Sequence, residues 1–264
     1  MDSRALAEEL RRQIVGEVRF DKYSRVLYST DASIYQIEPL GVVIPKNNED
    51  VIAAIKTAAR YSVPVLPRGG GTSLAGQAVG PAIILDFSKY MHRVLEMNPE
   101  EGWVRAEPGI SLDGLNHNLR SYGLKFAPDP TTSNRATVGG VLGNNSCGSH
   151  SILFGKTVDN VKEISVVLPD GDEALFKPLT QEELEAKLRG EGAESQLYRR
   201  VLDIVEQHRQ EIALRYPKIM RRVSGYNLDE FTKGEDLNLA KLIVGSEGTL
   251  ATITEAKLHL VPRP

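Results

Sequence analysis

The chain has 264 residues, of which 41% are hydrophobic and 25% charged, a balance typical of a soluble globular protein with a sizeable core. The formal net charge of −3 at pH 7 gives no general attraction to nucleic acid or to an anionic membrane surface. The single Cys147 excludes an internal disulfide or a multi-cysteine metal site, and no apolar run approaches the roughly 20 residues that span a bilayer, so we expect a soluble, cytoplasmic protein.

Residues 1–100 show a strand–helix–strand order. Ser3 stands where it can cap a first helix, whose Leu6, Leu10 and Ile14 recur at helical spacing. A second helix is predicted to begin at Asn48, because acidic residues occupy its first turn and apolar residues recur along one face. Short apolar strands are predicted over residues 41–45, 63–66 and 82–87. Together these elements predict a small parallel α/β sheet.

From about residue 100 onwards the pattern favours antiparallel strands with helices inserted between them. Strands are predicted over residues 92–97, 102–107, 163–168, 174–176 and 249–261, and helices over residues 111–122, 181–189 and 195–215. Gly171 lies in a Pro-Asp-Gly-Asp sequence that indicates a hairpin, whereas residues 127–157 are predicted to be irregular. We therefore predict an α+β chain with two closely packed subdomains, about residues 1–100 and 101–264.

Two glycine-rich segments, residues 67–77 and 128–148, carry the strongest functional signal. Glycines leave consecutive backbone N–H groups unshielded, so that they can surround an anion which a Cβ atom would hold away. Both segments also contain hydroxyl and amide side chains, and each is joined to apolar elements. A tight turn between strands is the alternative interpretation of either segment alone. The pair predicts two walls of one site for a phosphate-bearing ligand.

The spacing of these glycines excludes the two common nucleotide-binding motifs. A Walker A loop requires a lysine and a hydroxyl residue directly after its last glycine, whereas Gln77 follows Gly76. The Rossmann fingerprint requires a third glycine where Leu74 stands, and a strand rather than a long helix is predicted after the loop. The cations in or just beyond the two walls are few: Arg68, Arg135 and Lys156. We therefore expect neutral donors to hold the phosphates.

An ordered set of motifs resembles the FAD-binding, PCMH-type domain of the vanillyl-alcohol oxidase-type flavoproteins. Within them it is most similar to the glycolate oxidase, D-lactate dehydrogenase and D-2-hydroxyglutarate dehydrogenase branch. The motifs are residues 63–73, 128–130, 136–140, 154–157, 166–171, 224–228 and 245–250. Residues 144–148 and 221–226 look most like the long members of the branch, which fuse the flavin domain to an iron–sulfur segment.

The resemblance implies that FAD lies extended between the two subdomains. The first loop would wrap the pyrophosphate, residues 128–140 would lie along the dinucleotide, and residues 144–149 would pass near the isoalloxazine and the ribityl chain. The implied cofactor-binding residues are Pro67, Arg68, Gly69, Gly70, Gly71, Thr72, Ser73, Leu74, Gln77, Pro128, Asp129, Pro130, Thr131, Ser133, Thr137, Gly139, Gly140, Asn144, Asn145, Ser146, Cys147, Gly148, Ser149, Glu247, Gly248 and Ile253. Some relatives attach FAD through a histidine in the first loop; none is present here, so noncovalent FAD is implied.

The same resemblance implies oxidation of a D-2-hydroxy acid by hydride transfer to flavin N5. The substrate would bind a C-terminal domain expected after Pro264, so no catalytic residue is assigned within this chain, and electrons would leave to a quinone or an iron–sulfur centre. The five histidines show no ligand spacing, so no metal site is expected. Cys147 and His150 could form a thiolate–imidazole pair, but a packed cysteine in the cofactor wall is the preferred interpretation. A non-catalytic flavin electron-transfer subunit and a UDP-sugar reductase-like flavoenzyme stay open as alternatives.

Overall fold

The computed structural model describes residues 3–222, 224–234 and 236–263, and it arranges the strands of these residues in two sheets. Val223, which belongs to the 221–226 motif, and Pro264 lie outside the described residues. The first sheet has the order β1-β2-β4-β3. Its strands are β1 (Glu17–Arg19), β2 (Gly41–Ile44), β3 (Val65–Arg68) and β4 (Ile83–Asp86). β2, β4 and β3 are parallel, which confirms the predicted parallel sheet, and β1 adds an unpredicted antiparallel edge.

The helices of this half are α1 (Ser3–Gln13), α2 (Lys22–Leu27) and α3 (Asn48–Arg60). The proposed capping role of Ser3 is wrong, because Ser3 is already the first residue of α1. α3 is capped by Asn47, whose side chain accepts a hydrogen bond from the amide of Asp50. The apolar faces of α1 and α3 bury Leu6, Leu10 and Val51 in a first core against the sheet. This packing explains why the two helices lie on β2 and β4.

The second sheet has the order β5-β6-β10-β8-β9, and β7 pairs with the far end of β10. Its strands are β5 (Val94–Asn98), β6 (Trp103–Ala106), β7 (Leu124–Phe126), β8 (Val161–Val167), β9 (Glu173–Phe176) and β10 (Thr252–Pro262). Every neighbouring pair is antiparallel, which confirms the prediction for this half. Gly171, with φ +85°, makes the predicted hairpin turn between β8 and β9. The long β10 organises the sheet, because it pairs with β8 on one side and with β6 and β7 on the other.

Most helices of this half contribute residues to the second core, and one of them lies within the second glycine-rich segment. They are α4 (Leu112–Leu119), α5 (Val138–Asn144), α6 (Ser151–Phe154), α7 (Gln181–Arg189), α8 (Ala193–Gln207), α9 (Arg209–Arg215) and α10 (Ala240–Ile243). Residues 127–157 are therefore not irregular throughout, since α5 and α6 lie within them. The single helix predicted over 195–215 is wrong as well: α8 and α9 are separate, with His208 between them. Across the described ranges, no helix has both the length and the apolar character needed to cross a membrane.

Candidate functional site

A cleft of about 400 Å³ lies between the two glycine-rich segments. The first segment contributes residues 67–74 together with Gln77, and the turn before β10 contributes Glu247 and Gly248, with Ile253 from the strand itself. The second segment contributes Pro130, Thr137, Gly139, Gly140, Asn144, Ser146 and Cys147. The tertiary structure thus brings the three predicted segments around one space, and their role in holding a cofactor stays a prediction.

Glycine is required where the two walls touch. A Cβ atom on Gly69 would lie 2.1 Å from Thr137 Oγ1, and one on Gly70 would lie 2.1 Å from the carbonyl oxygen of Arg135. Both distances are far below van der Waals contact, so either side chain would push the first wall away from the second. These glycines therefore serve the close approach of the two loops as well as access to backbone amides.

The first loop offers a row of unused backbone donors. Within the described ranges, none of the amide N–H groups of residues 69–74 donates a hydrogen bond, although these residues all line the cleft. Backbone amides rarely stay without an acceptor unless water or a ligand supplies one. Consecutive free N–H groups form a concave donor surface of the kind that binds phosphate oxygens. The backbone donors of the first loop therefore fit a diphosphate.

The second wall is different, because the amides at the start of α5 are already bonded. The Val138 amide donates to the carbonyl of Ile110 at 2.9 Å, and the Gly139 amide donates to that of Pro108 at 2.8 Å. The Gly140 amide donates to Thr137 Oγ1 at 3.3 Å, so Thr137 caps the helix. On this wall, the cleft is consequently lined by side chains and small residues rather than by free amides.

Arg68 lines the cleft, but its guanidinium is committed elsewhere. Its Nη atoms donate to the carbonyl oxygens of Thr30 at 2.7 Å, Ala78 at 2.8 Å and Tyr28 at 3.3 Å. The group also lies over the Tyr28 ring, 5.4 Å from the centroid. Burial lowers the pKa of Arg68, yet a guanidinium stays charged in proteins. Arg68 therefore anchors both ends of the first loop to the segment before β2.

Several predicted residues shape the second wall without lining the cleft. Asp129 accepts hydrogen bonds from Ser149 Oγ at 3.1 Å and from the backbone of His150, and its carboxylate also contacts His150 Nδ1. Burial raises the pKa of Asp129, but the hydrogen bonds from His150 and Ser149 outweigh this effect and hold it below its usual value. A Cβ atom on Gly148 would lie 2.0 Å from Asp129 Oδ1. This cluster fastens residue 129 to residues 148–150.

Asn145 is also structural. It is 1% exposed, adopts φ +50°, and its Oδ1 accepts a hydrogen bond from the Val158 amide. The remaining predicted residues that do not line the cleft are Pro128, Thr131 and Ser133. No contact in the described part of the chain joins Cys147 to His150, whose Nδ1 faces Asp129, so the geometry gives no support to a nucleophilic pair.

Other residues line the cleft without having been predicted. They are Ala75, Ala78, Phe87, Pro108, Thr132, Ala136, Val141, Gly143 and Ala251. Most are small or apolar and adjoin a predicted residue, so widening each motif by one position would have found them, and Ala251 lies two positions before Ile253. Phe87 and Pro108 are different, because they follow β4 and β6 and no local pattern marks them. Only the packing of both sheets against the loops brings them to the cleft.

Comparison with known proteins agrees with this geometry. The chain is 41% identical over 97% of its length to a D-2-hydroxyglutarate dehydrogenase of Escherichia coli (strain K12), and 30% identical over 96% to the glycolate oxidase subunit GlcD of Bacillus subtilis (strain 168). It spans 26% of the first relative and 44% of the second. A solved structure of alkyldihydroxyacetonephosphate synthase matches 98% of the chain and 40% of its own length with a TM-score of 0.69 at 21% identity, which shows a shared fold.

The family model described as FAD binding domain matches residues 39–174, slightly more than half of the chain. The matched range contains the first glycine loop with its free amides and the whole of the second glycine-rich segment. This match confirms the FAD cofactor expected from the sequence. The two sheets with their helices and the shared fold confirm the expected α+β architecture. The chain belongs to the FAD binding domain family.

Proposed function

We propose that this chain is the flavin-binding part of an enzyme that oxidises a D-2-hydroxy acid to the corresponding 2-oxo acid. The observation that carries the proposal is the 41% identity to a D-2-hydroxyglutarate dehydrogenase across 97% of the chain. Identity to the glycolate oxidase subunit is lower, at 30%, which favours D-2-hydroxyglutarate over smaller acids as the substrate. Since the chain spans about a quarter of the dehydrogenase, the substrate site belongs to the rest of a longer protein.

In this proposal the chain binds and orients the cofactor. The amides of residues 69–74 hold the diphosphate, Arg68 keeps those amides in position, and Thr137, Asn144 and Ser146 face the remainder of the ligand from the second wall. FAD supplies an acceptor at N5 for the hydride that leaves the substrate Cα, while the substrate hydroxyl loses its proton. FAD is held noncovalently, since the first loop has no histidine. A quinone or an iron–sulfur centre receives the electrons.

Anaerobic mixing of the full-length gene product with candidate reductants tests the proposal. D-2-Hydroxyglutarate should bleach the flavin absorbance faster than D-lactate does, and L-2-hydroxyglutarate should have no effect. Bleaching by NADPH instead would support a reductase. Bleaching by none of these compounds, with reduction only through a second protein, would support an electron-transfer subunit. A colourless protein that takes up no added FAD would contradict the cofactor itself.

A variant of the first loop tests the site directly. Gly70→Ala places a Cβ atom against the Arg135 carbonyl and should weaken FAD binding at least about tenfold, because the loop must move by more than a local rotamer change. Gly80→Ala in the same connection is the matched control, since its Cβ atom meets only Leu66 Cδ1, at 3.3 Å. Titration of flavin fluorescence measures both affinities. Equal affinities for the two variants would contradict the assigned role of the loop.

A further inference from the structure

Glu247 is the acidic residue of the cleft. Among the described residues that line it, the charged side chains are Arg68 and Glu247, and the guanidinium of Arg68 is bonded to backbone carbonyls. Glu247 forms no ion pair within the described ranges. Its Oε1 accepts a single side-chain hydrogen bond, from Gln77 Nε2 at 3.4 Å. A half-buried carboxylate without a cationic partner is electrostatically costly, so its presence in a binding cleft calls for an explanation.

The backbone at Glu247 adds a second cost. Its φ is +52°, in the left-handed region that glycine adopts readily and that is unfavourable for residues with a Cβ atom. The conformation is held by the Glu247 amide, which donates to the carbonyl of Gly143 at 3.0 Å and so ties the turn to α5. Glycine would relieve the strain at this position. A glutamate there indicates that the side chain itself is used.

Glu247 and the row of free amides line the same cleft. Gln77, the hydrogen-bond partner of Glu247, belongs to the first loop. The next residue, Gly248, packs on the start of that loop, since its Cβ atom would lie 3.1 Å from Pro67 Cδ. A diphosphate on the amides of residues 69–74 would therefore bring negative charge into the cleft that Glu247 lines. An ionised carboxylate in low dielectric would repel it.

We propose that Glu247 binds FAD as the neutral acid, so that binding of the cofactor takes up one proton; this rests on the placement of the diphosphate proposed above. The neutral acid keeps its hydrogen bond with Gln77 and gains an O–H donor in place of a charge. Burial already raises the pKa of Glu247 without a ligand, and the ligand's charge raises it further. Among the described residues, the other titratable groups that line the cleft are Arg68 on the first loop and Cys147 on the second wall, whereas α5 and the start of β10 contribute none to it.

The sign of the pH dependence follows from this linkage. Affinity for FAD should be complete below the pKa of Glu247 in the free protein, and it should fall as pH rises towards the pKa in the complex. When binding takes up one proton, the affinity for FAD can fall by at most about tenfold for each unit of rising pH. Glu247→Gln keeps the shape and the neutral state at every pH. Its affinity should therefore be flat between about pH 5 and 8 and should exceed that of the unchanged protein at the upper end.

The measurement is the FAD dissociation constant by flavin fluorescence across this pH range. Calorimetry in two buffers of different ionisation enthalpy counts the protons taken up and needs no variant. Glu255→Gln, on β10 outside the cleft, is the matched control and should keep the full pH dependence. The same pH dependence in Glu247→Gln, or no proton uptake by the unchanged protein, would overturn the inference while leaving the FAD site intact. Failure to bind FAD at any pH would instead overturn the site itself.

Discussion

At the scale of single residues, Arg68 is a charged residue whose guanidinium is engaged within the protein. Its guanidinium donates to the carbonyls of Tyr28 and Thr30, before β2, and to that of Ala78, at the end of the loop. The guanidinium acts on the ligand through the loop that it holds. Planar, divergent donors suit this task, because three carbonyl oxygens in different directions must be reached at once. Arg68 is therefore a positioning residue.

Arg68→Lys should weaken FAD binding by about tenfold, because a lysine ammonium cannot hold all three carbonyls and each lost hydrogen bond is worth about 1 kcal/mol. The fluorescence titration described above measures this change. Arg199→Lys is the control: Arg199 donates to the carbonyls of Leu188 and Gly190, away from the cleft. It should lower the unfolding midpoint without changing FAD affinity. Wild-type affinity in Arg68→Lys would show that the loop holds its shape unaided.

At the scale of elements, β1 illustrates a strand kept in place by charge. It has three residues and, among the strands of the described ranges, pairs with β2 alone. Glu17 at its start contacts the ammonium of Lys89 and the guanidinium of Arg19, and it accepts a hydrogen bond from Tyr90 Oη at 2.7 Å. These contacts join the edge of the first sheet to the segment after β4. They lower the pKa of Glu17 to about 2, with the bond from Lys89 as the largest cause.

Glu17→Gln should lower the free energy of unfolding at pH 7 by about 1 kcal/mol, a modest value because the carboxylate still touches solvent. The contribution of Glu17 is complete above pH 4.5 and is lost as pH falls towards about 2, so the two proteins should converge in acid. Urea unfolding at neutral and acidic pH measures the difference. Glu96→Gln, which removes only a distant contact with Arg105, should behave like the unchanged protein. A difference that persists in acid would contradict the ionic origin.

At the scale of the whole molecule, β8 connects the two cores. Val166 is buried in the second core, whereas its neighbour Val167 packs in the first core with residues of α1, α3 and β4. The first sheet ends at Asp86 and the second begins at Val94, which lies close to the boundary expected near residue 100. That division into subdomains stays a prediction. The shared strand favours one cooperative unit.

Val167→Ala tests this unit, since it removes apolar volume from the first core and should cost about 2 kcal/mol. Trp103, the single tryptophan, lies in the second sheet and reports on unfolding there. If the cores unfold together, Val167→Ala should shift the urea transition of Trp103 fluorescence as much as that of circular dichroism. Val166→Ala removes the same volume from the second core, and it gives the shift of the Trp103 transition that direct destabilisation of that core causes. An unchanged Trp103 transition in Val167→Ala would show that the cores unfold separately.

Local signals predicted much of the fold and most of the cleft walls. Asn48 and the acidic first turn mark the start of α3, and Gly171 marks the hairpin, because helix starts and turns depend on a few adjacent residues. α5 was missed because glycine disfavours helices, and it forms where Thr137 caps it and the amides of Val138 and Gly139 find distant carbonyls. No local pattern marks Phe87 and Pro108 as cleft residues either, because only the packing of both sheets against the loops brings them to the cleft.

The sequence by itself determined the order of the motifs, and it placed glycine at contacts where a Cβ atom would clash. Through these two features it determined that the chain belongs to the FAD binding domain family. Only the tertiary structure decided which donors are free. It engages the guanidinium of Arg68 and the first amides of α5, and it leaves the amides of residues 69–74 open in the cleft that Glu247 also lines. The physical reason is that a hydrogen bond is completed by its acceptor, and these acceptors come from segments far along the chain.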